Sequence, residues 1–187
     1  WKNTPGASSY FAVESTSDYF GGYSPEEDAG MVHVADHHIV RGKKLWTWGT
    51  APAGRIWEKI LTDGDLPYFE PQAGAYSDNQ PSLFWIMPGE TKIFSHFWFP
   101  VKEIGVFDFA KLEGSLNLEV GAGKAIFGWS PTGMNQDAEI VVYNDGEQIF
   151  RKTTDADPAN PFLGEVAVTG IPDLYSLKMV VLSSVGD

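Results

Sequence analysis

The sequence predicts an all-β protein, and three observations carry that reading. Short stretches alternate apolar and polar residues at the period of a half-buried strand. Aromatic residues make up 14% of the chain, and 20 glycines and 12 prolines punctuate it at close intervals. Only one stretch, Ala53 to Leu61, repeats its apolar residues at helical spacing.

With 187 residues, 43% of them apolar, the chain is long enough to bury one large core or two smaller ones. A formal net charge of -12 argues against a nucleic-acid partner, which needs a Lys/Arg surplus on one face, and favours a neutral or cationic one. No run of about 18 apolar residues is present, so no membrane span is expected. There is no basic-then-apolar leader, and a chain starting at Trp1 reads as a processed protein or a domain cut from a longer one. The absence of cysteine excludes a disulfide framework, a thiolate metal site and a cysteine nucleophile.

Taken in order, residues 10 to 15 alternate as one strand. Asp18 to Tyr23 and Ser24 to Asp28 read as turn material, with a solvated acidic cluster at the end. Met31 to Ala35 and Leu45 to Trp48 are short strands, followed by the helix with Ile56, Trp57, Ile60 and Leu61 on its apolar side. After the Thr62-Asp63-Gly64-Asp65 turn, strands are expected at Pro67 to Ala73, Ser82 to Met87 and Thr91 to Val101, the last two joined by a turn at Pro88-Gly89-Glu90. A second unit starts near Phe109. There Leu116, Leu118 and Val120 alternate, Ala125 to Trp129 follows, and Asn144-Asp145-Gly146 between Glu139 to Tyr143 and Glu147 to Lys152 is a strong hairpin signal. Val166 to Val168 and Ser176 to Leu182 complete the strand pattern of a small β-sandwich.

Chemistry concentrates between Met31 and Val101, which hold all four histidines and five of the seven tryptophans. Glu70, between Phe69 and Pro71 in a strand, is the candidate general base, against the alternative of a carboxylate facing solvent. His37 and His38, at a strand end beside Asp36, are candidate proton donors, while His33 inside a strand is structural. No metal site is expected and no cofactor: H-x-x-x-H-H is not the helical H-E-x-x-H pattern, and no third ligand is evident. Trp46 and Trp48 with Lys44, Arg55, Asp78 and Gln80 suit a sugar, because flat rings stack on its C–H face and planar polar groups fork onto hydroxyls. Period two should put Trp46, Trp48 and Glu70 on one concave face, with Trp57 packing the helix over the sheet. Serine-triad, phosphate-loop and dinucleotide motifs are absent.

The run YFEPQAGAYSDNQPSLFWIMPGETKIFSHFWFPV resembles the C-terminal strands of galactose mutarotase-like (aldose 1-epimerase-like) proteins. Glu70 and Gln72 match that family's glutamate-x-glutamine, and Pro88-Gly89-Glu90 its turn. More closely, HVADHHIVRGKKLWTWG with LTDGDLPYFEPQAGAYSDNQPSLFW is similar to an uncharacterised bacterial family of that superfamily, often found in large secreted proteins with tetratricopeptide repeats. The resemblance covers roughly residues 17 to 108. It implies that residues 1 to 108 form the C-terminal part of a mutarotase-like supersandwich, ahead of a small immunoglobulin-like β-sandwich at 109 to 187. It also implies a carbohydrate partner, a periplasmic or extracellular location, and chemistry at an anomeric carbon with Glu70 as base and His37 or His38 as acid. Two departures stand beside it. The mutarotase histidine lies far upstream of the glutamate, and the N-terminal half of the sandwich has no counterpart here, so exposed sheet edges would favour a homo-oligomer. The alternative is a glycan-binding or interaction module without turnover; glycoside hydrolysis would need a second carboxylate, with Asp63 and Asp78 as candidates.

Overall fold

The computed structural model describes residues 3–75, 85–168 and 176–183, and within them the protein is mostly β with one short helix. In chain order the elements are β1 (Ser8–Phe11), β2 (Tyr19–Ser24), β3 (Ala29–Val34), β4 (Lys44–Thr47), α1 (Pro52–Leu61), β5 (Phe69–Gln72), β6 (Phe97–Lys102), β7 (Phe109–Lys111), β8 (Gly114–Gly121), β9 (Lys124–Pro131), β10 (Asn135–Asn144), β11 (Glu147–Ala156), β12 (Phe162–Ala167) and β13 (Leu177–Leu182). Four antiparallel sheets result, ordered β1-β4-β5, β2-β3-β6, β12-β9-β8-β7 and β11-β10-β13. The chain divides into two compact units, residues 1–18 with 35–96 and residues 19–34 with 97–187.

The second unit holds the apolar cores. Ala125, Phe127 and Trp129 of β9 and Phe162 of β12 meet Ala138, Ile140 and Val142 of β10, Ala156 of β11 and Leu177 of β13, so two sheets share one buried cluster. The alternation read at Leu116, Leu118 and Val120 supplies partly buried residues to it, while Ser115 and Asn117 are buried on the opposite face of β8. A second cluster joins Val32 and Val34 to Val101, Ile104 and Ala110. Asp145 and Gly146 form the β10–β11 hairpin with positive φ at both positions (51° and 81°), as a two-residue turn of this kind requires, and Asn144 pairs with Glu147.

The first unit has a different balance. Among the described residues its buried apolar side chains are Ala35, Val40 and Ala75, beside buried Lys43, Thr47 and Glu58. Helix α1 starts where expected, with Pro52 in its first turn, and ends at Thr62, whose hydroxyl and backbone N–H both donate to the Glu58 carbonyl. Its orientation reverses the sequence expectation. Gly54 and Glu58, one turn apart, are the buried residues, whereas Ile56 and Ile60 are 56% and 65% exposed. The reason is a backbone approach: a Cβ at Gly54 would lie 2.1 Å from the Gly49 carbonyl oxygen, so the helix docks through its glycine face.

Other expectations shift as well. The segment Asp18 to Tyr23, read as turn material, forms β2 from Tyr19 on, paired with β3; only residues 25–28 make the turn. Its two glycines misled, because at Gly21 a Cβ would lie 2.1 Å from the Met31 carbonyl oxygen, so this glycine serves close strand contact rather than a bend. Thr91 to Val101 is extended into a paired strand only from Phe97, and residues 85–87 lie outside any strand. The rest of the expected strand at 82–87 falls outside the described residues. Pro88-Gly89 does turn, with the Glu90 N–H donating to the Met87 carbonyl at 2.9 Å and Gly89 at φ 84°.

Candidate functional site

Sheet β1-β4-β5 brings the sequence candidates of the first unit together. Its register sets Ser9 opposite Trp46 and Trp46 opposite Glu70, then Phe11 opposite Lys44 and Lys44 opposite Gln72. Residues two apart share a face, so Lys44, Trp46, Glu70 and Gln72 form a two-by-two patch on one side of the sheet. Tyr68, two residues before Glu70, extends the row. Its hydroxyl donates to Glu70 Oε1 at 3.1 Å, and Gln72 Nε2 donates to Glu70 Oε2 at 2.9 Å. The carboxylate is held from both ends, yet each oxygen keeps a lone pair for a further donor. The Tyr68 phenol is pushed up, first by burial and then by its bond to Glu70 and the charge of that carboxylate.

Lys44 Nζ stands 5.7 Å from the centre of the Trp46 ring system, in cation–π range. The Trp46 indole N–H is buried and makes no hydrogen bond among the described residues, which is costly for a donor that normally finds an acceptor. Trp48, one residue beyond β4, stacks on Trp57 of α1 with ring centres 4.6 Å apart and planes 20° from parallel. Arg55 is engaged on the helix itself, its guanidinium 3.2 Å from Glu58 Oε2. Asp63 is exposed in the turn after α1. Asp78 and Gln80 fall outside the described residues.

A second constellation surrounds His37. Its backbone N–H donates to Asp18 Oδ1 at 2.9 Å, and its Nδ1 lies 2.7 Å from the same oxygen. A carboxylate only accepts, so Nδ1 carries a proton and donates to it. These two bonds, the backbone one first, hold the Asp18 carboxyl below the usual carboxylate range, with smaller help from the charges of His37 and Lys43. Buried Lys43 donates to the Ser17 carbonyl, and burial lowers its ammonium against the pull of Asp18. The His37 and His38 rings lie 3.9 Å apart, centre to centre. His33 is fully buried between Phe20 and Trp98, consistent with the structural role read from sequence, and His96 contacts Phe94 edge-on. Sequence reasoning missed Asp18 and Tyr68. Alternation already puts Tyr68 on the side of Glu70, although it is not among the sequence candidates, whereas Asp18 is brought to His37 by a contact 19 residues away in sequence.

A cavity of about 490 Å³ lies in the second unit, lined by Phe109, Leu116, Trp129, Met179 and Leu182 among others. None of the described sequence candidates lines it, and its walls are chiefly apolar.

Residues 1–101 match the model of a family described as a domain of unknown function (DUF5107). The chain belongs to that family. Residues 109–187 match a second model, the second domain of YphG-like proteins. A TPR-domain containing protein from Parabacteroides distasonis ATCC 8503, known from its crystal structure, is 31% identical over 53% of this chain, with a TM-score of 0.46. This chain spans 17% of the length of that protein. The match to a domain of unknown function fits the uncharacterised bacterial family that the sequence resembles. Among the described residues, no helix is long and apolar enough to cross a membrane.

Proposed function

We propose that the first unit presents a carbohydrate-binding surface on sheet β1-β4-β5. The observation that carries this reading is the Trp46–Glu70 cross-strand pair, with Glu70 held by Tyr68 and Gln72. An indole stacks on the C–H face of a pyranose, and an adjacent carboxylate with free lone pairs accepts from two neighbouring hydroxyls. Lys44 and Gln72 add donors beside it, and the acidic chain suits a neutral ligand better than an anionic one. Asp78 and Gln80 remain part of the proposed set from sequence. In the same reading the first unit derives from a mutarotase-like supersandwich, the paired sheets of the second form a small immunoglobulin-like sandwich, and the domain works outside the cytoplasm.

The Asp18–His37 pair favours a second reading, chemistry at an anomeric carbon. Glu70 would take the proton of the anomeric hydroxyl while His37 or His38, as imidazolium, protonates the ring oxygen. The ring C–O bond then breaks to an open aldehyde, and reclosure from the other face returns both protons. Each such group supplies about 10²- to 10⁴-fold.

One experiment separates the two. Freshly dissolved α-aldoses are followed by polarimetry, and sugar binding by ligand-observed NMR, with the wild type, Glu70→Gln and Trp46→Ala. Saturable binding lost in Trp46→Ala, with no change in mutarotation rate, supports the binding module; accelerated mutarotation abolished by Glu70→Gln supports the enzyme. Neither binding nor acceleration across neutral hexoses, pentoses and short glycans rejects both.

A further inference from the structure

We propose that the Asp36-His37-His38 turn is a divalent transition-metal site of the zinc class, with Asp18 positioning His37. One ligand atom from each of the three side chains lies within 4.8 Å of the others. Consecutive residues usually point apart, and here the backbone explains why they converge. The Asp36 carbonyl accepts from both the Ile39 and Val40 N–H groups, Asp36 Oδ1 accepts from the His38 N–H at 2.8 Å, and fully buried Val40 anchors the end of the turn. The chain is thus coiled tightly enough to bring the two imidazoles together, tilted 39° to each other, while the Asp36 carboxylate turns back onto the His38 backbone.

The chemistry of the set suits such an ion. His37 donates Nδ1–H to Asp18, which leaves Nε2 as the free ligand atom, the carboxylate–histidine arrangement that orients metal-bound imidazole and raises its basicity. Two imidazoles and one carboxylate are a common zinc donor set, with the fourth position left to water or a ligand. Bonds of about 2.0–2.1 Å put tetrahedral ligand atoms about 3.3 Å apart, so the side chains must close in slightly. Asp36 and His38 are exposed and can turn to do so, while His37, the half-buried member, is already fixed. Sequence spacing argued against zinc because no third ligand follows along the chain; the third ligand is the neighbour, Asp36. This site does not rest on the sugar reading, and an ion bound there would take both histidines out of the proton-donor role.

The test uses the full chain, freed of any polyhistidine tag and treated with chelator, titrated with zinc chloride by calorimetry and with cobalt(II) chloride by visible absorbance. Expected are one equivalent of zinc, a cobalt spectrum of tetrahedral intensity, and loss of both in His37→Gln and in His38→Gln. Asp18→Asn should keep the stoichiometry and weaken affinity by about 10- to 100-fold. His38 is exposed, so His38→Gln keeps the fold and decides the matter should His37→Gln fail to fold. Unchanged zinc binding in His38→Gln, or no binding tighter than about 1 mM in the wild type, overturns the proposal; calorimetry without sugar reads it independently of carbohydrate binding.

Discussion

Trp46 and Glu70 face each other directly across the antiparallel β4–β5 pair, so the distance between an aromatic platform and a carboxylate is set by strand spacing rather than by loop conformation. Glu70 also contributes two of the causes that push the Tyr68 phenol up, after burial. Glu70→Gln should therefore let Tyr68 ionise at lower pH than in the wild type, nearer its ordinary value. Ring NMR of labelled tyrosine across an alkaline titration measures this; an unmoved Tyr68 would mean that burial alone sets its behaviour.

Gly54→Ala tests how the helix is docked. Alanine is the better helix former by about 1 kcal/mol, yet its Cβ would meet the Gly49 and Trp48 carbonyl oxygens at 2.1 and 2.6 Å. Backbone cannot yield as a side chain can. The substitution should destabilise the first unit and break the Trp48–Trp57 stack, seen as a changed near-ultraviolet circular dichroism spectrum.

Among the described residues, buried Glu58 has no hydrogen-bond partner for Oε1 and one exposed arginine as its ion-pair partner. A buried carboxylate so thinly compensated costs stability, and replacing it with an apolar side chain of similar volume is often neutral or favourable. Glu58→Met should leave the thermal midpoint unchanged or raise it. Arg55→Ala should lower it, because the carboxylate then loses its counter-charge.

Tyr23 gives the second unit an alkaline limit. Burial, then the hydrogen bond from its hydroxyl to Asp28, pushes the phenol up to about 12. An unfolded tyrosine ionises near 10, so between about pH 10 and 12 the unfolded chain has released a proton that the folded one keeps. The contribution of Tyr23 is complete below about pH 10 and is lost as pH rises through 12. Tyr23→Phe should flatten urea-denaturation stability against pH in that window.

Gly146→Ala isolates a conformational cost. Gly146 sits at φ 81° in the β10–β11 turn, and a Cβ there would meet nothing within 4 Å. The loss should be about 1 kcal/mol, from backbone alone, with Gly146→Asn losing less because asparagine tolerates that region.

Local chemistry was legible in the sequence wherever it decides structure locally. Asp145-Gly146 could only be a tight hairpin, and period two put Trp46 and Glu70 on one face before the β4–β5 register was known. What the sequence hid are relations between distant segments. Nothing near His37 announces Asp18, and the apolar side of α1 is a true helical pattern whose burial was decided instead by a glycine that admits a backbone. The β2 glycines carry the same lesson, since a residue that permits a bend equally permits a close neighbour, and only the partner strand distinguishes them.

The pairing of β3 with β6 places Val34 opposite Phe97, so the about 60 residues between them leave the second unit and return to it at one rung of a ladder. Seen as polymer physics, this segment is a closed ring hung on a hairpin. The entropy of closing it grows only with the logarithm of its length, so doubling or halving it changes the cost by about 0.6 kcal/mol. Evolution, or an engineer, could exchange the whole ring for another of similar length, while the ladder that holds its two ends keeps every one of its own hydrogen bonds.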